Sequence, residues 1–372
     1  MSNVNKATDA KKLLVMAGGT GGHIFPGLAV AKLLESQGWK IHWLGTKERM
    51  EAHIVPQHGY DISFINITGL RNKNLKTLLQ LPFKLIQSLW QSIKVIQAVK
   101  PDVVLGMGGY ASAPGGFSAW LLRKPLVLHE QNASAGLSNR CLAKVATKVL
   151  SAFPGAFNSS IDYQVVGNPL RADIISIQKA NTTAETSKEK SITEHQKVLV
   201  VGGSLGAQIL NETVPLALDK IKLQTIQVWH QSGAGKQKHV LQAYNDSALE
   251  GVKVTEFIDD MASAYQWADI VICRAGALTV SELAMAGKPA IFVPLPHAVD
   301  DHQTKNARYL VDKGAAILMP QKDFNTMTLV QTLNSLFGCT TTLISMAKNA
   351  RAAAHADATA KVSEIIKVAA KR

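Results

Sequence analysis

Three glycine-rich turns, each placed where a short apolar run ends and a helix-forming segment begins, constrain this chain more than any other feature. They read Gly18-Gly19-Thr20-Gly21-Gly22-His23 after Leu13-Leu14-Val15-Met16-Ala17, Gly106-Met107-Gly108-Gly109-Tyr110 after Asp102-Val103-Val104-Leu105, and Gly202-Gly203-Ser204-Leu205-Gly206-Ala207 after Val198-Leu199-Val200-Val201. Glycine has no Cβ, so the backbone turns sharply there and approaches a ligand closely. A helix that starts at such a turn aims N–H groups and a partial positive charge at it, which suits phosphate. One turn would say little. Three, divided between the two halves of the chain, predict two nucleotide-type α/β domains facing one cleft.

Along the chain, short apolar runs alternate with longer amphipathic segments, the pattern of parallel sheets wrapped by helices. Strands are expected near 12–17, 40–45, 61–66, 102–106, 125–129, 148–152 and 163–166, then near 197–202, 225–230, 252–256, 269–273, 290–293 and 315–319. The 372 residues are ample for two domains. Residues 178–196, rich in Thr, Ser, Lys and Glu, read as a solvated loop insertion. The alanine-rich residues 347–370 read as one terminal helix.

The formal net charge is +13, from 40 Lys and Arg against 27 Asp and Glu. Nucleic acid, an anionic membrane and an acidic small molecule would each explain it. No acidic residue lies between Asp61 and Asp102, where Arg71, Lys73, Lys76, Lys84, Lys94 and Lys100 fall. The same stretch carries Leu75, Leu78, Leu79, Pro82, Phe83, Leu85, Ile86, Leu89, Trp90, Ile93 and Ile96 at helical spacing and on more than one face. A basic segment with protruding apolar residues suits an anionic lipid surface, each cation contributing ~1 kcal/mol there. The competing reading is a core stripe with solvated lysines around it. Aromatics are only 6%, and no nucleic-acid motif appears, so nucleic acid is not an expected partner. Cys141, Cys273 and Cys339 are far apart, which argues against a disulfide framework or zinc knuckle. Residues 1–12 lack the apolar core of a signal peptide, and no apolar run approaches the ~18–20 residues of a membrane span. A soluble or peripheral protein of the cytoplasm is expected.

Among candidate motifs, Gly106-Met107-Gly108-Gly109-Tyr110-Ala111 fits G-x-G-x-x-A, but the first turn does not keep that spacing. The strand after it ends in Leu44-Gly45-Thr46, without the acidic residue that holds an NAD ribose. A dehydrogenase is disfavoured. His129-Glu130-Gln131-Asn132-Ala133 begins like H-E-x-x-H, yet Ala133 stands at the second ligand position, so no zinc site and no other protein metal site is predicted. The adjacent pairs Asp259-Asp260 and Asp300-Asp301 read as helix caps or turns. Arg274-Ala275-Gly276-Ala277-Leu278-Thr279-Val280-Ser281-Glu282 follows an apolar run and opens a helix. Main-chain N–H groups at Ala277 and Leu278, with the hydroxyls of Thr279 and Ser281, suit a diphosphate, and Glu282 suits a ribose diol. The alternative is a capped helix whose Glu282 complements the dipole.

These motifs, with Gly167-Asn168-Pro169-Leu170-Arg171 and Asp301-His302-Gln303-Thr304-Lys305-Asn306-Ala307, occur in the order seen in the MurG family, which the chain resembles from about residue 12 to 370. The polar 178–196 stretch and the long N-terminal lead depart from the family pattern outside the motifs. The resemblance implies the GT-B fold, with residues 1–168 and a terminal helix at about 355–372 forming the acceptor domain and 169–354 the donor domain. It implies an inverting hexosyltransferase that moves N-acetylglucosamine from UDP-GlcNAc to the C4 hydroxyl of the muramoyl sugar of lipid I, giving lipid II for peptidoglycan. His23 is the leading base, set against a structural or pyrophosphate-contacting role, and Glu130 is the second choice. By the same resemblance Thr20, Gly21, Gly22, Asn132, Arg171, Ser204, Ile258, Ala277, Leu278, Thr279, Val280, Ser281, Glu282 and Gln303 hold UDP-GlcNAc, while Gly108, Gly109 and Tyr110 face the acceptor. No cofactor is required, and stimulation by a divalent cation would need no protein site. The implied partners are UDP-GlcNAc, lipid I, an anionic membrane surface and other cell-wall synthesis proteins. The implied place is peripheral, on the cytoplasmic side of the inner membrane. Another GT-B glycolipid transferase, a UDP-sugar epimerase and a non-catalytic nucleotide-binding scaffold are the alternatives.

Overall fold

The computed structural model describes residues 10–67, 81–184, 196–203, 205–221, 226–245, 249, 251–296 and 301–371. The chain forms two compact units, Met1–Leu170 with Asp357–Arg372, and Arg171–Ala356.

The first unit runs β1 (Lys12–Ala17), α1 (Gly21–Glu35), β2 (Lys40–Gly45), α2 (Glu51–Gln57), β3 (Asp61–Phe64), α3 (Leu81–Val99), β4 (Val103–Gly108), α4 (Ser112–Leu121), β5 (Leu126–Glu130), α5 (Leu137–Leu142), β6 (Lys148–Ser151) and β7 (Gln164–Val165). Its strands pair in parallel in the order β3-β2-β1-β4-β5-β6-β7. A parallel sheet covered on both faces needs apolar residues at consecutive positions, because successive side chains point to opposite sides. β1 obeys this. Leu13, Val15 and Ala17 join one core with Trp43, Val103 and Leu105, while Leu14 and Met16 join the other with Leu44, Val104 and Leu128.

The second unit runs α6 (Ala172–Ala184), β8 (Gln196–Val201), α7 (Gln208–Asp219), β9 (Ile226–Gln231), α8 (Gln237–Asn245), β10 (Val252–Thr255), α9 (Met261–Trp267), β11 (Ile270–Cys273), α10 (Ala277–Ala286), β12 (Ala290–Phe292), α11 (His302–Val311), β13 (Ala316–Leu318), α12 (Thr326–Phe337) and α13 (Thr340–Ala352). Its strand order is β10-β9-β8-β11-β12-β13, again parallel throughout. The last helix, α14 (Ala358–Ala369), returns to the first unit, where Val362 and Ile366 are fully buried with Leu13 and Val15.

Two expectations need correction. Residues 178–184 are helical, as the end of α6, so the polar stretch does not begin as a loop; residues 185–195 lie outside the described residues, and Gln196 already opens β8. Buried Ile174 and Ile177 anchor that helix, and polar side chains do not end one. The terminal helix is two helices, α13 and α14, broken between Ala352 and Ala358 where the chain changes unit. Asp260 does cap α9, its Oδ1 accepting from the Ser263 N–H at 2.9 Å.

Candidate active site

Both sheets reverse their strand order once, between β1 and β4 and between β8 and β11. Open parallel sheets bind ligands beyond the carboxyl ends of the strands at such a reversal. The glycine turns follow β1, β4 and β8, and the Gly276 turn follows β11, so each reversal is flanked by two tight bends.

In the first unit, Gly19 has φ +88° and its N–H donates to Glu51 Oε2 at 2.8 Å. The other oxygen of this buried carboxylate accepts from the Thr46 N–H at 3.1 Å and Thr46 Oγ1 at 2.7 Å. A Cβ on Gly18 would stand 2.4 Å from Glu51 Oε1, so the carboxylate fits only against glycine. Thr20 takes the N-cap position of α1 in extended backbone, and Gly21, Gly22 and His23 form its first turn. The second bend packs against the first: a Cβ on Gly109 (φ +93°) would lie 2.4 Å from the Gly18 carbonyl oxygen. Gly108 (φ +100°) faces the His23 ring. Tyr110 is exposed, with the Arg49 guanidinium 5.4 Å from its ring centroid.

The end of β5 supplies a buried polar cluster. Glu130 Oε1 accepts from the Asn132 N–H (2.9 Å) and Nδ2 (3.1 Å), and Oε2 from the Gly136 N–H (3.2 Å) and Asn139 Nδ2 (2.7 Å). Four donors on a carboxylate that is only 2% exposed make it the organiser of the 130–139 loop. His23 Nδ1 lies 2.8 Å from Gln131 Oε1, and Gln131 Nε2 lies 3.0 Å from His129 Nδ1. Burial pushes the His129 imidazole down to about 4, against the opposing Gly167 hydrogen bond and Glu130 charge.

In the second unit, Gly203 and Gly206 have φ of +83° and +68°, and a Cβ on Gly206 would meet the Ser232 carbonyl at 2.0 Å. Ser204, between them, lies outside the described residues. The Ser232 carbonyl also accepts from Asn211 Nδ2, whose Oδ1 is 3.0 Å from His230 Nε2, and His230 Nδ1 is 2.9 Å from the Tyr244 hydroxyl. This buried triad fixes the wall of the third bend.

Gly276 is the N-cap of α10, in extended backbone at ψ 144°. The first-turn N–H groups of a helix have no acceptor within it, so those of Ala277, Leu278 and Thr279 are directed at the bend. Ser281 Oγ donates back to the Ala277 carbonyl at 3.1 Å, and Val280 packs in the core. Glu282 is half-buried; its Oε2 accepts from the Tyr265 hydroxyl at 2.9 Å. Burial pushes its carboxyl upward, opposed by the Arg171 charge and the Tyr265 hydroxyl. Arg171 Nε also stands 3.8 Å from Asp173 Oδ1. Ile258 is buried at the end of the β10 loop. Gln303 Oε1 accepts from the Leu295 N–H at 2.9 Å, which turns its amide NH2 the other way. Arg274, by contrast, is structural: its guanidinium donates to the carbonyls of Val293 and Pro294 and to Gln321 Oε1. Among the described residues, no three His, Cys, Asp or Glu side chains stand together as a metal site.

Glu51, Gln131, Tyr265 and the Asn211–His230–Tyr244 triad are contributors that the sequence did not single out. Glu51 carries no signal of its own, since its partner is 32 residues away. Gln131 adjoins two residues that were singled out.

Comparison with known proteins accords with this arrangement. Residues 13–151 match the glycosyltransferase family 28 N-terminal domain and residues 197–362 its C-terminal domain. A protein of Colwellia psychrerythraea named UDP-N-acetylglucosamine–N-acetylmuramyl-(pentapeptide) pyrophosphoryl-undecaprenol N-acetylglucosamine transferase is 60% identical over 360 residues, covering 96% of this chain and 92% of that protein. One of the same name from Aeromonas hydrophila is 54% identical over 357 residues, with 95% and 96% covered. The crystal structure of Acinetobacter baumannii MurG matches with a TM-score of 0.83 at 39% identity, covering 96% of this chain and 99% of that one. The fold is GT-B, a pair of Rossmann-like domains with parallel sheets. With both domain models matched and a 60% identical relative along nearly its whole length, the chain belongs to glycosyltransferase family 28, within its MurG group.

Proposed function

We infer that the chain transfers N-acetylglucosamine from UDP-GlcNAc to the C4 hydroxyl of the muramoyl sugar of lipid I, the undecaprenyl-diphospho-MurNAc-pentapeptide, giving lipid II for peptidoglycan. The relatives' shared name supports this substrate pair. The observation that carries the chemistry is the placing of glycine bends and helix N-termini at both strand-order reversals.

In an inverting displacement the acceptor oxygen attacks C1 of the donor sugar as the bond from C1 to the diphosphate oxygen breaks. UDP leaves with the bonding electrons, and the acceptor proton passes to a base. His23 is that base in our reading, because its ring is half-exposed at the start of α1, while Glu130 is saturated by four donors. Charge developing on UDP is met by preorganised main-chain donors of the third bend, with Ser204, and of the α10 start at Ala277, Leu278 and Thr279, while the Val280 N–H is held by the Gly276 carbonyl and Val280 and Ser281 shape the turn. Arg171 adds a positive charge, Glu282 accepts from the ribose diol, the Ile258 backbone reads the base, and the Gln303 amide reads sugar hydroxyls. Thr20, Gly21, Gly22 and Asn132 add substrate contacts, and Gly108, Gly109 and Tyr110 face the acceptor. No cofactor is needed for this displacement.

A membrane face is also part of the reading. Phe83, Leu85, Ile86 and Trp90 of α3 are exposed, as are Trp120 and Leu121 of α4, and the two helices touch through Ser118 Oγ and the Leu89 carbonyl. An apolar cluster of this kind on a basic protein suits an anionic lipid surface, here the cytoplasmic side of the membrane that holds lipid I. Among the described residues no helix is long and apolar enough to cross a membrane.

Incubation with UDP-GlcNAc and a short-chain lipid I analogue tests the activity. UDP release that depends on the acceptor is the expected result; interconversion of the donor sugar without acceptor would point to an epimerase. His23→Ala should lower kcat by ~10²–10⁴. A loss below about tenfold in a folded variant would remove His23 from the base role.

A further inference from the structure

The polar residues around His23 form a one-way chain of hydrogen bonds whose direction is fixed at its far end. His129 Nε2 lies 2.9 Å from the Gly167 carbonyl oxygen, which only accepts, so Nε2 carries the ring proton. Burial keeps the ring neutral near pH 7, and His129 Nδ1 is therefore a bare acceptor. Gln131 Nε2 stands 3.0 Å from that nitrogen and 3.1 Å from the His129 carbonyl oxygen. Reversing the amide would set its oxygen against two acceptors, so the NH2 end must face His129. Gln131 Oε1 then points at His23 Nδ1, 2.8 Å away, and a bare oxygen there requires the proton on Nδ1. The main chain of Gln131 is held too, its carbonyl accepting from Asn168 Nδ2 at 3.1 Å. On the other side, a Cβ on Gly108 would meet His23 Nδ1 and Cε1 at 2.9 Å, so the ring has little room to turn.

We propose that Gln131, oriented by His129, is a positioning residue that holds the His23 ring in the Nδ1–H form and leaves the Nε2 lone pair to receive the acceptor proton. This rests on the reading of His23 as the base. It assigns separate tasks to consecutive residues of one motif: His129 and Gln131 set a tautomer, while Glu130 folds the loop beside them. An orienting partner matters because a base with its proton on the wrong nitrogen cannot accept another from the substrate.

The test begins with the unaltered full-length enzyme labelled with ¹⁵N-histidine, so it does not depend on a variant folding. Long-range ¹H–¹⁵N spectra near pH 7.5, with His23 identified by its loss in His23→Ala, should show a protonated Nδ1 and a bare Nε2. A His23 ring protonated on Nε2 overturns the proposal. Gln131→Met, close in shape but unable to accept a hydrogen bond, should lose that signature. Its kcat should fall about 10–10³-fold while KM for UDP-GlcNAc stays within about twofold. A folded Gln131→Met enzyme with the original tautomer and unchanged kcat also overturns it. If His23→Ala remains active yet Gln131→Met shifts the tautomer, the base assignment fails and the positioning role stands.

Discussion

Glu282, which we propose to hold the ribose, stands in a setting of three opposing influences. Tyr265 donates to its Oε2, burial raises its pKa, and the Arg171 charge opposes that rise. Glu282→Gln keeps the shape but turns one acceptor into a donor. A nucleoside contact exists in both ground and transition states, so its loss should act on binding. KM for UDP-GlcNAc should rise about 10–100-fold with a much smaller change in kcat, measured by steady-state kinetics at fixed acceptor. An unaltered KM would take Glu282 out of donor recognition. Glu282 was legible in the sequence because it sits one turn into a helix opened by Gly276, a local pattern. Tyr265 was not, since it comes from another helix 17 positions earlier. Glu51 was hidden for the same reason: only the fold brings a helix-start carboxylate against Gly18 and Gly19.

At the scale of the element, β5 and β9 each carry a wholly buried histidine one residue before their ends, His129 and His230, one in each unit. Burial lowers them to about 4 and about 3. In the unfolded chain a histidine titrates near 6.5, so below that pH the unfolded state binds protons that the folded state refuses. Stability should therefore rise with pH in this window and be lost as pH falls from about 6.5 toward those folded values. His230→Gln should reduce proton uptake on unfolding at pH 5.5 by about one proton, measured by unfolding in weakly buffered urea. Uptake equal to that of the unaltered protein would mean that His230 is charged in the fold. Strands were the legible elements: the thirteen expected apolar runs are β1–β13, with ends displaced by at most two residues. A buried parallel strand must be apolar on both faces, so its signal is local and strong. The break between α13 and α14 was illegible because Ala352-Ala353-Ala354 suits a helix well. What ends α13 is the chain's passage to the other unit, where α14 packs Val362 and Ile366 into the first core. Of the expected basic and apolar stripe, Arg71, Lys73, Leu75, Lys76, Leu78 and Leu79 lie outside the described residues; the part in α3 was legible as amphipathic but not in its exposure. Ile96 is core, whereas Phe83, Ile86 and Trp90 face outward.

On the proposed membrane reading, that outward face would give the excess charge of the whole molecule a use. A +13 chain feels an anionic surface at a range set by ionic strength, with a Debye length of about 10 Å at 0.1 M salt. Attraction alone would hold it loosely, at ~1 kcal/mol per cation near the surface. On the same reading, the exposed side chains of α3 and α4 would add an apolar contribution that salt does not screen; Lys94 Nζ stands 3.4 Å from the Trp90 ring centroid. The two contributions separate in one experiment, co-sedimentation with vesicles containing about 30% anionic lipid. Binding of the unaltered protein should weaken by at least about tenfold between 50 mM and about 500 mM salt. The double substitution Ile86→Ser with Trp90→Ser should weaken it at both salt concentrations, because it removes only the unscreened part. Turnover of a water-soluble acceptor analogue should be the same in the double variant, since both side chains are exposed on α3 and belong to none of the glycine bends. Vesicle binding that ignores both salt and the double substitution would place the docking surface elsewhere on the molecule.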